Sequence, residues 1–149
     1  MKLDEAKSLT LTLMSQHNLT EWSFKFDNAK RRFGSCDSRL KEITLSKHLV
    51  LINDENRVKN TILHEIAHAL VGCKHHHDNV WKQKALEIGC NGNRCYNSKD
   101  TVRVEGTYQA ACSICGHIFH SFKLRKKQSS CGLCSTSFNK EAILIFVKK

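Results

Sequence analysis

The chain has 149 residues, room for one domain or two small ones, and 40% of them are hydrophobic, enough for a modest core. Lysine and arginine number 24 against 14 acids, and the net +10 favours polyanions while being too mixed with apolar residues for a disordered tail. No run approaches 18 apolar residues and acids in MKLDEAKSLT stand where a secretion signal needs an apolar stretch, so neither a membrane span nor secretion is expected.

Leu3 to Gln16 reads as a helix, with Leu3, Ala6, Leu9 or Thr10, and Leu13 at helical spacing and Asp4 and Glu5 in the first turn. Trp22, Phe24 and Phe26 alternate with Ser23 and Lys25, a strand pattern. Phe33–Cys36 and Glu42–Leu45 are shorter strands joined by the turn-rich Asp37-Ser38-Arg39. The three are expected to form a small antiparallel sheet. Asn53 or Asp54 then caps a helix that runs to Val71 and stops at Gly72, with Val58, Ile62, Ile66 and Leu70 inward. Asp78 caps another, with Val80, Trp81, Ala85 and Ile88 inward and Gly89 as the stop. Beyond the polar stretch Asn97–Thr101 the pattern changes to short strand-like pieces, Thr101–Glu105, Ile118–Leu124 and Ala142–Val147. Two domains follow, 1–100 and 101–149. The first carries 16 basic and 12 acidic residues (net +4), the second 8 and 2 (net +6).

Eight cysteines and nine histidines dominate the chemistry of the chain. The segment Ile62–Leu70, ILHEIAHAL, holds an H-E-x-x-H motif on a helix. His64 and His68, four residues apart, lie about 40° apart on one face and can reach one metal; that face is about 200° from Ile62, away from the expected core. Glu65 lies beside them, placed to accept a proton from water. An open catalytic zinc site takes three protein ligands, and CKHHHD (Cys73–Asp78) supplies the third. His77, fixed by the helix cap at Asp78, is favoured over His75 and then His76.

CSIC and CGLC place Cys112, Cys115, Cys131 and Cys134 in two C-x-x-C knuckles fifteen residues apart, the spacing of a closed, structural four-cysteine zinc site. Gly116 and Gly132 sit where each knuckle turn needs an unhindered backbone. Between the knuckles, Phe119 and Phe122 mix with Lys123, Arg125, Lys126 and Lys127, a combination that stacks bases and meets phosphates. The alternative is a ribbon whose phenylalanines are its core and whose lysines are solvated. Cys90 and Cys95 read as ordinary thiols ahead of a small disulfide or a second metal site, and Cys36 and Cys73 as small core residues. Tyr96 reads as a surface hydroxyl ahead of an oxyanion stabiliser swung towards the metal, and Lys30-Arg31-Arg32 as a solvated basic run, with DNA contact the sharper alternative.

The residues RRFGSC, ITLS, NTILHEIAHALVG and HDNVW together resemble the SprT-like (Spartan-type) zinc metalloprotease domain, over roughly residues 20–96. In that pattern Ile43-Thr44-Leu45-Ser46 precedes the H-E-x-x-H helix and a histidine four residues before an aromatic follows it, here His77 before Trp81. The resemblance therefore supports His77 as third ligand. It implies an α+β zincin-like domain, to which the cysteine knuckles add a C-terminal zinc ribbon of the kind many such proteins carry. It also implies a DNA-associated protease that trims proteins crosslinked to DNA. The expectation is a zinc metalloendopeptidase with one catalytic and one structural Zn2+ and Glu65 as general base. Its partners would be protein substrates, drawn along the hairpin edge, and DNA, preferably single-stranded; no membrane is involved, and the location is cytoplasmic, at DNA or the nucleoid. The competing reading is a nucleic-acid-binding adaptor with a structural or inactive H-E-x-x-H site, and a zinc hydrolase of non-peptide amides is a third.

Overall fold

In the computed structural model, which describes residues 1–72, 74–94 and 101–149, helix α1 (Leu3–Gln16) opens the chain. The Lys2 N–H donates to Glu5 Oε2 at 3.0 Å, which closes the first turn, and α1 buries Ala6, Thr10, Leu13 and Met14. Strands β1 (Ser23–Asp27), β2 (Gly34–Asp37) and β3 (Glu42–Ser46) follow, then α2 (Lys47–Ile52), α3 (Glu55–Val71) and α4 (Asn79–Glu87). After these come β4 (Tyr108–Ala111), β5 (Ile118–Ser121) and β6 (Val147–Lys148). The chain divides into two units, Met1–Val104 and Glu105–Lys149. Among the described residues no helix is long and apolar enough to cross a membrane.

The sheet of the first unit is mixed and not antiparallel: its order is β1-β3-β2, with β1 parallel to β3 (Phe24 opposite Ile43) and β2 antiparallel to it (Cys36 opposite Ile43). The reason is burial. Ile43 and Leu45 are buried on one face of β3 and Thr44 and Ser46 on the other, so β3 takes the centre and the half-exposed β1 and β2 take the edges. Ser46 also caps α2, accepting from the Leu49 N–H at 3.2 Å. This helix, six residues long, is too short for its periodicity to stand out in the sequence.

Asp54 caps α3 by accepting from the Arg57 N–H at 2.7 Å, and Gly72, at φ 84°, ends it. Its buried side is wider than the expected stripe and includes Thr61, Leu63, Glu65 and Ala67. Leu70, expected inside, is 37% exposed, because the burial of α3 fades through its last turn. In α4, capped by Asp78, Trp81 and Ala85 are buried while Val80 faces solvent; a nine-residue helix with one flank covered needs only a narrow apolar stripe.

Residues 101–104 belong to the first unit and do not form a ribbon strand. The buried Asn53 donates to the Val102 carbonyl at 2.9 Å and to the Leu49 carbonyl at 2.8 Å, and accepts from the Val102 N–H at 2.8 Å. A side-chain amide thus takes the place of a strand partner. In the second unit β4 pairs antiparallel with both β5 and β6, over a small core of Ala110, Cys112, Cys131, Ala142, Leu144 and Phe146. The expected strand Ala142–Val147 is reduced to β6 and an isolated bridge between Ser130 and Ile143. Cys73, Cys95, Tyr96 and residues 97–100 of the expected boundary lie outside the described residues.

Candidate active site

Helix α3 presents His64 and His68 one turn apart, and the loop before α4 brings in His77. His77 Nε2 lies 3.0 Å from His64 Nε2 and 3.1 Å from His68 Nε2. Beneath them is the fully buried Trp81, whose ring centroid is 4.6 Å from those of His64 and His77 and 5.2 Å from that of His68. Asp78 holds this corner together: one carboxylate oxygen accepts from the Trp81 N–H at 3.0 Å, the other pairs with His75 Nδ1 at 2.8 Å. His75 is therefore turned to Asp78, and His76 is exposed. Burial first, then the neighbouring imidazoles, lower the pKa of His64 to about 3 and of His68 to about 4. Burial, then Arg94 and His76, also lower that of His77. All three rings are neutral at pH 7 and offer lone pairs.

Three neutral imidazoles, His77 Nε2 at 3.0–3.1 Å from the other two and all three ligand atoms within 4.8 Å of one another, fit a shared cation. Zinc–nitrogen bonds of about 2.0–2.1 Å set a tetrahedral edge of about 3.3–3.4 Å. Glu65 is 7% exposed, and burial pushes its carboxyl up to about 8, against a smaller lowering by the Arg32 charge. The half-buried histidines, on the side of α3 away from Ile62, and the buried glutamate line a cavity of about 270 Å³. Strand β2 and the residues before it (Arg32, Phe33, Gly34), the first half of α3 (Arg57, Asn60, Thr61) and the segment after α4 (Asn91, Asn93, Arg94) line the rest of it.

Two features of this cavity escape sequence inspection. Gly34 is pressed against the base: a Cβ there would stand 2.9 Å from both Cγ and Oε1 of Glu65. A glycine inside a strand signals such an approach, although not its partner. Arg32, read as part of a solvated run, pairs with Asp27. That carboxylate also accepts from the Ala29 N–H and the Thr44 hydroxyl, so the loop carrying Arg32 is held at the cavity. Cys90 is buried, and its thiol donates to the Asn60 carbonyl at 3.7 Å.

In the second unit Cys112 Sγ lies 3.7 Å from Cys134 Sγ and Cys115 Sγ 3.7 Å from Cys131 Sγ, and all four sulfurs fall within 4.8 Å of one another. Disulfide sulfurs would be about 2.05 Å apart, whereas zinc–sulfur bonds of about 2.3 Å set an edge of about 3.8 Å. The donor set therefore fits zinc. Each knuckle closes with a matching bond, Gly116 N–H to the Cys112 carbonyl and Ser135 N–H to that of Cys131. Gly116 has φ 69°, the left-handed value; Gly132 does not, and the turn makes no special demand there. Phe119 packs half-buried on the ribbon core and Phe122 is half-buried, while Lys123, Lys126 and Lys127 are exposed. Arg125 is exposed with its guanidinium 5.1 Å from the centre of the Phe146 ring. Phe138, 55% exposed, is the aromatic surface that the sequence did not single out.

Fold and site define a mixed α+β protein built around an H-E-x-x-H helix with a three-histidine metal-binding geometry. The SprT-like family model matches residues 6–102, and the chain belongs to the SprT-like family. That membership supports a zinc metallopeptidase. No curated protein matches the chain. Among solved structures it is similar to the metallopeptidase zymogen jannalysin of Methanocaldococcus jannaschii, at 18% identity over 64% of this chain and 85% of that one, with a TM-score of 0.47.

Proposed function

We propose that the chain is a zinc-dependent endopeptidase that acts on proteins bound or crosslinked to DNA. The observation that carries the catalytic part is the convergence of three neutral imidazole nitrogens beside one buried carboxyl group in an open cavity. His64, His68 and His77 would hold the ion. A zinc ion supplies Lewis acidity, lowering the pKa of a coordinated water to about 7 and polarising a carbonyl. Glu65 takes the proton from the attacking water and delivers it to the leaving amine. Burial raises its carboxyl and so favours the protonated form that delivers to the amine, while the positive charge of a bound zinc would favour the ionised form that takes the proton. Strand β2 has one open edge, and its first residue, Gly34, lines the cavity. An extended peptide paired along that edge passes its scissile bond beside Glu65. Cys112, Cys115, Cys131 and Cys134 would hold a second zinc that organises the ribbon.

The DNA part rests on the net charge of +10 and on the exposed cations Lys123, Arg125, Lys126 and Lys127, which suit phosphates. Single strands are the preferred partner, with Phe122 and the half-exposed flank of Phe119 the candidate stacking surfaces. The test is cleavage of a DNA-binding protein by the zinc-loaded chain, with and without single-stranded DNA. Wild type should cleave faster when DNA is present, and Glu65→Gln should keep its zinc and lose about 10²–10⁴ in rate. DNA binding with no hydrolysis by wild type establishes the adaptor reading instead. Cleavage by Glu65→Gln at the wild-type rate removes Glu65 from the chemistry.

A further inference from the structure

We propose that the active-site cleft selects peptides with an acidic side chain close to the scissile bond, its carboxylate received by Arg94 at the mouth and by the field of Arg57 behind it. This deepens the peptidase reading and rests on it.

Three arginines from three separate segments reach one cavity: Arg32 before β2, Arg57 in the first half of α3, and Arg94 after α4. No aspartate lines it, and Glu65 is its single glutamate, among the described residues. Arg32 is matched by Asp27, so its charge is largely answered. Arg57 lies seven residues before His64, two turns along the same helix face, or about 10 Å. Its Nη2 donates to the Thr61 hydroxyl at 3.0 Å and its guanidinium stands 5.4 Å from the Phe33 ring centre, so the fork is set before any ligand arrives. Arg94 is exposed and makes no ion pair among the described residues.

An extended chain advances about 3.3 Å per residue. A side chain one to three residues from the scissile bond therefore falls beside these guanidiniums. A carboxylate there gains charge-assisted hydrogen bonds in a partly enclosed space, and an ammonium is repelled.

The experiment uses the zinc-loaded full chain and a peptide series identical except for Glu, Gln or Lys at successive positions around the cleaved bond. At one position the Glu peptide should exceed its Gln twin by about tenfold in kcat/KM, the worth of one hydrogen bond to a charged group, with Lys lowest. Arg94→Gln should bring the Glu/Gln ratio close to one, and Arg94→Glu should turn the preference toward Lys. Arg94 is exposed, so both variants should fold, which circular dichroism checks. Equal cleavage of Glu and Gln peptides at every position by wild type, or a ratio that survives both substitutions, overturns the proposal. So does a result in which Arg94→Gln weakens single-stranded oligonucleotide binding and leaves the ratio intact, since the arginine then serves phosphates. Binding of the same peptides to zinc-loaded Glu65→Gln, read by fluorescence anisotropy, separates the two levels. A Glu preference in binding with no hydrolysis by wild type refutes the peptidase and keeps the cleft's choice; hydrolysis without any preference does the reverse.

Discussion

Replacing Gly34 by alanine should damage catalysis through a single added methyl group. The new carbon would stand 2.9 Å from Cγ and Oε1 of Glu65 and 3.1 Å from Cδ2 of Leu45. Carbon atoms in good contact stand about 3.5–4.0 Å apart, so the overlap is at least a few tenths of an ångström on each side. The φ of Gly34 is not in the left-handed region, so alanine meets no backbone penalty, and the whole effect comes from the contact. Leu45 is fully buried and has little room to yield. The remaining release is for the Glu65 side chain to move. Overpacking of this kind costs about 1–3 kcal/mol of stability. A displacement approaching 1 Å at a reacting group costs up to about a hundredfold in rate. Gly34→Ala should therefore fold, retain its zinc by elemental analysis, and lose about 10- to 100-fold in kcat with a much smaller change in KM. A second substitution, Leu45→Val, removes one of the three clashes and should not restore kcat, because the Glu65 contacts persist. A variant that folds and turns over within about twofold of wild type would refute the placement of Glu65 against β2 or its role as base, and retained zinc would show that the ligands were untouched.

Asn53→Ala should lower stability by about 2–4 kcal/mol, since it leaves the Leu49 carbonyl and both backbone groups of Val102 without their partner; urea midpoints measure it, and a loss below about 0.5 kcal/mol would contradict the clamp. Cys131→Ser should release one zinc and unfold residues 105–149, whose core of six buried residues is too small to stand alone, while amide protection in α3 survives; retained protection in β4 would contradict a metal-dependent ribbon. Burial alone would raise the Asp27 carboxyl, but hydrogen bonds from the Ala29 N–H, Arg32 and the Thr44 hydroxyl, with the charge of Arg32, hold it below the ordinary value of about 3.9. Its contribution to stability is thus fully present above about pH 4 and is lost as pH falls through the lower folded value, so Asp27→Asn should lower stability at neutral pH and flatten the acid limb of a pH–stability curve. An unchanged acid limb would mean that another carboxylate dominates it.

The donor types were legible in the sequence because their spacing is local. His64 and His68 share a helix face by arithmetic, two C-x-x-C turns each bring two sulfurs together, and Asp54, Gly72 and Asp78 mark helix ends through bonds no more than a few residues long. The tertiary structure decided what depends on distant partners. Strand order followed from which strand is buried on both faces, so β1 lies parallel to β3 although the chain reads as three successive antiparallel strands. The raised carboxyl of Glu65 follows from β2 closing over it, a contact that the sequence of α3 does not contain. The gathering of Arg32, Arg57 and Arg94 at one cavity joins segments far apart in the chain. Spacing within one helix or knuckle is set by bond geometry, whereas these convergences are set by which apolar surfaces bury one another, a property that no short stretch of the chain contains.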